Sequence, residues 1–244
     1  MAQGMYSDMV VAGLGTFDGG VYDKVRIDGV AFVKGDVQCD RFICNGSGKL
    51  NGSVSAHSMD VNGLASFGSH VQAQQIKVCG KANIDGDLLG EELRVDGSVS
   101  VSTNCEMHSI DVHGRLSVDR DIRATRFNTN GSFRAGNQVL AESVRIELNG
   151  HCEARELRAK QIEAVRGYVK KNSFLGAMFQ AFGQQPLLEA QLIEGDSIKL
   201  EQTHASLVRG RQVSIGPGSQ ISRVEYSQEI YIDPTAIVHE CVQI

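Results

Sequence analysis

The 244-residue sequence has no tryptophan, only three prolines and no long apolar run. Because a bilayer-spanning helix needs about 20 apolar residues, the sequence predicts no transmembrane segment. The N-terminus also lacks the basic and then apolar order of a secretory signal. The net charge is −5 and no basic run exceeds Lys170 and Lys171, which argues against a nucleic-acid binder. The six cysteines form no CxxC pair, which favours a reducing, cytoplasmic location.

Glycine, by contrast, is abundant, with 27 residues, and some of these glycines recur at a fixed spacing. Seven glycines lie at a strict spacing of 17: Gly29, Gly46, Gly63, Gly80, Gly97, Gly114 and Gly131. Most of them follow asparagine or aspartate. Because Asn-Gly and Asp-Gly adopt positive φ readily, the sequence predicts a tight corner with positive φ at each of them.

The apolar residues repeat with the same period. Residues 24–142 form seven rows of 17, and each row has six apolar positions, which in the first row are Val25, Ile27, Ala31, Val33, Val37 and Cys39. Of the 42 positions only Thr129 is polar. The positions come in pairs two residues apart, as in strands with one face buried, so each row predicts three short strands. Stacked rows would pair these strands in parallel and form a three-sided β-helix.

The domain organisation follows from where the period changes. We predict a β-helix over residues 1–166, with an irregular N-terminal extension in which Gly19 and Val21 continue the inward pattern. Residues 167–191 break the period, and Phe174, Met178, Phe179 and Phe182 recur there at helical spacing. We predict an amphipathic insert in this range, and a second short β-helical stack, or a continuation of the first, over residues 192–244.

The glycine-cornered turns of residues 24–164 resemble the bactofilins, which are polymer-forming cytoskeletal proteins of bacteria. The stretch 208–218 (VRGRQVSIGPG), followed by 224–227 (VEYS) and 232–234 (IDP), is similar to the longer bactofilin-related proteins of Gram-positive bacteria. This resemblance implies a right-handed β-helix that assembles end to end into filaments without nucleotide. It also implies a second copy of the chain, or a bactofilin paralogue, as partner, and a role in cell shape or motility.

The residues suggest a mechanism for such assembly. The last turn at each end of a β-helix has unpaired N–H and C=O groups, and edges of this kind recruit another chain unless they are blocked. We therefore predict that Val11, Val25, Ile27 and Val238 contribute to assembly. The aromatic and methionine side chains of the predicted insert would form an apolar stripe for a membrane surface or a partner.

Two other functions remain open from the sequence alone. The first is an acyltransferase of the left-handed β-helix class, although its catalytic histidine has no counterpart here: His57 and His108 share a column but lie three turns apart, about 14 Å by strand spacing. The second is a passive oligomeric scaffold that recruits other proteins. We predict no catalytic residue, no cofactor, no metal site and no small-molecule substrate.

Overall fold

The computed structural model describes residues 6–167 and 186–244, and all regular secondary structure in these residues is β-strand. The strands are β1 (Met9–Val11), β2 (Leu14–Ile27), β3 (Val30–Cys44), β4 (Ser47–Leu50), β5 (Val54–Val61), β6 (Leu64–Phe67), β7 (Val71–Val78), β8 (Lys81–Ile84), β9 (Leu88–Val95), β10 (Ser98–Val101), β11 (Cys105–Val112), β12 (Arg115–Val118), β13 (Ile122–Thr129), β14 (Ser132–Leu148), β15 (His151–Arg166), β16 (Leu187–Leu200), β17 (Thr203–Ile215), β18 (Gln220–Ile232) and β19 (Ile237–Gln243). Within the described ranges no helix is long and apolar enough to cross a membrane.

The chain divides into two compact units. The N-terminal unit comprises residues up to 110 together with 114–119, and the C-terminal unit comprises residues 111–113 and the described residues from 120 onward. The strands of each unit pair in parallel with the strands one turn before and after them. Both units therefore have the architecture of a parallel β-helix.

The 17-residue period sets the register of the N-terminal unit. Val37 pairs with Val54, Val54 with Val71 and Val71 with Leu88, so equivalent residues of successive turns lie side by side. The paired inward positions predicted from the sequence form the core: in five of the six columns every residue is buried. The sixth column is partly exposed at Ala56, Gly90, Ala124 and Ala141. The predicted parallel β-helix with 17-residue turns is confirmed.

The corner glycines are required for a different reason from the one the sequence indicated. Positive φ occurs among the described glycines only at Gly20, Gly35 and Gly218, none of which belongs to the corner column. At Gly63, instead, an added Cβ would overlap the carbonyl oxygen of Gly46 in the preceding turn. The prediction of positive φ was therefore wrong: the corner needs glycine because two backbones approach closely there.

The first turn departs from the regular spacing, as the sequence suggested, but in a different place. Gly15 and Phe17 pair with Ala31 and Val33 at a step of 16 residues, and a register shift between Asp18 and Gly20 restores a step of 17. Gly20 and Tyr22, rather than the predicted Gly19 and Val21, therefore take the inward register. The side chain of Val21 is exposed.

The C-terminal unit tolerates more variation in turn length. Phe133 pairs with Cys152, a step of 19, and Leu188 pairs with Thr203, a step of 15. Leu148 is completely buried, because the longer turn moves it from the corner into the core. The inward-facing positions of successive turns thus stay paired, while the corners accommodate the differences in turn length.

The predicted insert at 167–191 falls mostly outside the described residues, and so do Phe174, Met178, Phe179 and Phe182. Its C-terminal boundary needs correction, because β16 begins at Leu187 and residues 187–191 lie in a strand. β16 pairs directly with β15, for example through Ile162 and Ile198. Residues 192–244 therefore continue the stack of the C-terminal unit across the break in the period.

Candidate assembly surfaces

The direction of the backbone N–H groups determines which hydrogen-bond donors an open strand edge exposes. Outward-facing residues donate to the preceding turn, as Val30 N does to Gly13 O at 2.8 Å and Ser47 N to Gly29 O at 2.8 Å. Inward-facing residues donate to the following turn, as Val37 N does to Ser53 O at 2.9 Å. This alternation is the ordinary property of a strand between two parallel neighbours. An edge that has no preceding turn therefore exposes the N–H groups of outward-facing residues, and an edge that has no following turn exposes those of inward-facing residues.

The open edge of the N-terminal unit is formed by β1 and the first part of β2. Residues 14–22 of β2 pair with β3 on one side, and no described residue pairs with their other side. By the alternation, outward-facing residues such as Leu14 and Val21 direct their N–H groups away from β3. We call this edge the N-terminal rim. Leu14 and Val21 are also exposed apolar side chains, so the rim offers both unpaired donors and apolar surface.

The open edge of the C-terminal unit is formed by β19 and the end of β18. β19 pairs with β18 from Gln220 to Tyr226, and its other side has no partner among the described residues. We call this edge the C-terminal rim. Ile230, Ile232 and Val238 are only half-buried here, whereas Ile215 and Ile221, one turn before, are completely buried. The core columns thus end in apolar side chains that another turn could cover.

The structure places the predicted assembly residues in different surroundings. Val11 lies in β1 at the N-terminal rim with its side chain buried, and Val238 lies in β19 at the C-terminal rim. Val25 and Ile27 lie one turn further in: Val25 pairs with both Met9 and Phe42, so its backbone is enclosed on both sides. Their direct part in assembly stays a prediction, and their burial means that a charge placed there would also disturb the core.

Polar residues at the corners form hydrogen-bonded ladders, which the sequence analysis missed. In the glycine corner, Asn62 Nδ2 donates to Asn45 Oδ1 at 2.9 Å, and Asn45 Nδ2 donates to Asp28 Oδ1 at 2.7 Å. Their signal in the sequence is a set of polar residues spaced by 17, directly before the corner glycines. Such ladders connect each turn to the next on the outside of the core.

A second ladder lies at another corner and is built around aspartates. Asp87 Oδ1 accepts hydrogen bonds from Thr103 Oγ1 at 2.6 Å and from Asn104 N at 3.1 Å. In the same column, Asp36 Oδ1 accepts from Ser53 N at 2.7 Å. The Thr103 hydroxyl lowers the pKa of Asp87, and the Ser53 hydroxyl lowers that of Asp36. Both aspartates are therefore held ionised as acceptors for the next turn.

The C-terminal unit carries a ladder of alternating charge on its surface. Glu194 lies 3.1 Å from Arg158 and 3.8 Å from Arg209, measured between side-chain nitrogen and oxygen atoms. Glu225 lies 2.7 Å from Arg209 and 2.8 Å from Arg223, and the Arg209 hydrogen bond lowers the pKa of Glu225. Isolated surface pairs contribute little, but here Glu194 contacts arginines of the turns before and after it, and Glu225 contacts Arg209 of the preceding turn.

The structure brings together no metal-binding cluster in the residues that it describes. No group of three or more His, Cys, Asp or Glu side chains there could hold a metal ion. Burial raises the pKa of the Cys44 thiol to about 11 and that of Cys105 to about 12, so neither is a thiolate at neutral pH. Cys79 and Cys241 are exposed.

Comparisons with known proteins agree with this architecture. A family model described as "Bactofilin: Polymer-forming cytoskeletal" matches residues 8–106. The chain is 57% identical over 233 residues to "Uncharacterized protein YhbE" of Bacillus subtilis (strain 168), an alignment that covers 94% of this chain and 95% of that protein. "Uncharacterized protein YhbF" of the same organism is 45% identical over 53 residues, which is 22% of this chain and 23% of that protein. No solved structure matches.

Proposed function

Because the chain belongs to the bactofilin family of polymer-forming cytoskeletal proteins, we propose that it assembles end to end through its two open rims and without nucleotide. The observation that carries this proposal is the unpaired outer edge of β2 at one rim and of β19 at the other. Parallel strands with exposed donors and acceptors are templates for a further strand. The protein would then act as a structural element and not as an enzyme.

Two kinds of interaction would stabilise the contact. A neighbouring chain would satisfy the free N–H and C=O groups, each bond contributing about 0.5–1.5 kcal/mol. It would also cover the half-buried Ile230, Ile232 and Val238 at the C-terminal rim. Full burial of such a side chain is favourable by about 1.5–3 kcal/mol, and the part still exposed here would contribute a fraction of that. None of these interactions requires the energy of nucleotide hydrolysis.

The direct test is a rim variant that removes a free donor without breaking a bond inside the chain. Val21→Pro deletes an N–H that points away from β3, in a strand where an edge proline is tolerated. The matched control is Val21→Ala, which shortens the same exposed side chain but keeps the N–H. Purified proteins would be compared by negative-stain electron microscopy and light scattering, in EDTA and without nucleotide.

We expect polymers from the unmodified chain and from Val21→Ala, and a marked loss of polymers from Val21→Pro at an unchanged melting temperature. If Val21→Pro assembles like the control, then the N-terminal rim does not mediate assembly. If the unmodified chain stays small until nucleotide is added, then the nucleotide-independent part of the proposal is wrong.

The two exposed thiols provide a second, independent test. Cys241 lies in β19 at the C-terminal rim, whereas Cys79 lies at a glycine corner between turns. End-to-end contact would cover Cys241 and leave Cys79 accessible. We expect maleimide labelling of Cys241 to slow down on assembly while labelling of Cys79 stays constant. Equal rates at both thiols before and after assembly would show that the C-terminal rim remains open.

A paralogue is a further candidate partner. The 53-residue likeness to YhbF means that a second chain with related turns can occur in one organism with a relative of this protein. Because an open β edge recognises backbone more than side chains, the same rims would accept a related chain. Mixing the two labelled proteins and finding them in separate polymers would exclude co-assembly.

A further inference from the structure

Five asparagines in this chain are directly followed by glycine: Asn45, Asn51, Asn62, Asn130 and Asn149. Asparagine is among the thermolabile residues of proteins. A following glycine has no side chain to shield its backbone nitrogen, so that nitrogen can attack the carbon of the asparagine amide. Because all five sites share this local sequence, the folded structure decides which of them reacts.

Asn45 is immobilised in the ladder of the glycine corner. Its Nδ2 donates to Asp28 Oδ1 at 2.7 Å, and its Oδ1 accepts from Asn62 Nδ2 at 2.9 Å. The next backbone nitrogen, Gly46 N, donates to Ile27 O at 3.0 Å. The side-chain amide and the nitrogen that would attack it are therefore both held by hydrogen bonds.

The same corner also holds Asn62 and Asn130. Asn62 donates to the turn before it, and the nitrogen that follows it, Gly63 N, donates to Cys44 O at 3.0 Å. Asn130 Oδ1 lies 2.9 Å from His113 Nδ1. At both sites the amide is fixed against a neighbouring turn, so it is not free to rotate toward the following nitrogen.

Asn51 differs, because neither of its reacting groups is held. It lies in the corner between β4 and β5, and its side chain makes no hydrogen bond to any described residue. Gly52 N likewise donates no hydrogen bond within the described ranges. Exposure does not cause the difference, since Asn45 and Asn62 are exposed as Asn51 is. The hydrogen bonds of the ladder are what distinguishes the sites.

We propose that Asn51 is the principal site of spontaneous deamidation in the folded protein, and that the corner ladder protects Asn45 and Asn62 from this reaction. Gly52 N loses its proton to hydroxide and attacks Asn51 Cγ. The new N–Cγ bond forms, the bond from Cγ to Nδ2 breaks, and ammonia leaves with a proton from water, which restores the hydroxide. The resulting succinimide takes up one water molecule. Opening at the side-chain carbonyl gives aspartate, and opening at the main-chain carbonyl gives isoaspartate.

The hydrogen bonds set the size of the difference between the sites. Reaction at Asn45 requires three of them to break, whereas reaction at Asn51 requires none of this kind. Three bonds of ordinary strength slow the reaction at least about tenfold. Asn149 is intermediate: its Nδ2 donates to Asn130 O at 3.1 Å and its Oδ1 is buried, but Gly150 N donates no hydrogen bond in the part of the chain that the structure describes. We expect Asn149 to react more slowly than Asn51.

The isoaspartate product does not fit the corner, because its main chain is one carbon atom longer between residues 51 and 52. Gly52 is packed so closely that an added Cβ would overlap the carbonyl group of Gly35 in the preceding turn. Directly after it, Ser53 N donates to Asp36 Oδ1 at 2.7 Å. The longer chain has to displace one of these contacts, so the modified molecules should melt at a lower temperature. β4 and β5 are paired on both sides, so this effect is independent of the rims.

The experiment is peptide mapping by mass spectrometry after the purified full chain has been incubated in mildly alkaline buffer. Asn51 and Asn62 share one tryptic peptide, residues 50–77, so Asn62 is an internal control that fragment ions separate from Asn51. A parallel incubation in urea measures the same sites in the unfolded chain. In the folded protein we expect conversion at Asn51 to be at least about tenfold faster than at Asn45 and Asn62. In urea we expect similar rates at all of them.

Two variants complete the test. Asn51→Gln is the matched control for the product, because its longer side chain has to close a larger ring. After incubation the unmodified protein should contain a fraction with a lower melting temperature, whereas Asn51→Gln should not. Asp28→Ala removes the acceptor of Asn45 Nδ2 and should raise the rate at Asn45 severalfold, while the rate at Asn130 stays the same.

The outcomes separate the alternatives. Preferential conversion of Asn51 in the folded chain, which disappears in urea, supports the proposal. Equal rates at Asn45, Asn51 and Asn62 in the folded chain, or a faster reaction at Asn149, overturn it. The same preference for Asn51 in urea also overturns it, because the local sequence would then explain the result. An unchanged rate at Asn45 in Asp28→Ala would show that the ladder does not protect this residue.

Discussion

Gly63→Ala tests whether the corner glycines serve close backbone contact. The added Cβ would overlap the Gly46 carbonyl oxygen and lie 2.7 Å from the carbonyl carbon of Asn45, so the corner must move away from the preceding turn. That movement stretches two hydrogen bonds, from Gly63 N to Cys44 O at 3.0 Å and from Leu64 N to Gly46 O at 2.8 Å.

The size of the effect follows from these contacts. Overpacking costs about 1–3 kcal/mol, and weakening two backbone hydrogen bonds costs about 0.5–1.5 kcal/mol each. Alanine restricts the unfolded chain and offsets about 0.4–1 kcal/mol of this. We expect a net loss of about 3 kcal/mol in the free energy of unfolding. For a chain of this size that lowers the melting temperature by about 6–12 °C.

The measurement is thermal unfolding followed by circular dichroism, with urea unfolding as a second readout. Gly150→Ala is the matched control, because the atoms nearest to its added Cβ, Gly131 O and Ser132 Cβ, are both 3.2 Å away and a small adjustment suffices. We expect the control to change stability by less than about 1 kcal/mol. If Gly63→Ala melts within about 2 °C of the unmodified protein, close backbone approach does not explain the glycine column.

Three further predictions concern polar side chains, of which Asp87 and Glu225 lie outside the regular apolar columns and Thr129 lies within one. Since the native pKa of Asp87 is lowered below its ordinary 3.8, its contribution to stability is present above that pH and is lost as the pH falls through the native pKa. Asp87→Asn should therefore flatten the acid limb of a plot of unfolding free energy against pH, and an unchanged limb would contradict this. Glu225→Gln should lower the melting temperature by removing two arginine ion pairs, whereas Glu229→Gln, at an exposed position, should leave it unchanged. Thr129→Val should change stability by less than about 1 kcal/mol, because Gly131 N, which donates to the threonine hydroxyl at 3.1 Å, also reaches Val112 O at 3.3 Å. A larger loss in urea unfolding would show that the hydroxyl is essential.

The period in the sequence was sufficient to predict the core. Side chains that alternate inward and outward and repeat every 17 residues can be buried only if successive turns stack in register, so Val54 necessarily lies beside Val71. The same reasoning extends the columns of Ile27 and Val37 to Cys44 and Cys105, and both cysteines are completely buried. It was less reliable where the period drifts, as at Gly19 and Val21, because a bulge shifts every following residue to the other face.

The sequence alone thus determined that the chain forms stacked parallel turns with an apolar core, because that information is contained in local spacing. The reason for the corner glycines and the existence of the aspartate ladders depended on atoms from neighbouring turns, which the tertiary structure alone brings together. The rims were likewise decided by the tertiary structure, because an edge is open only where no other strand pairs with it. Which backbone groups remain unpaired is a property of the folded chain, since every residue in a strand carries the same donor and acceptor.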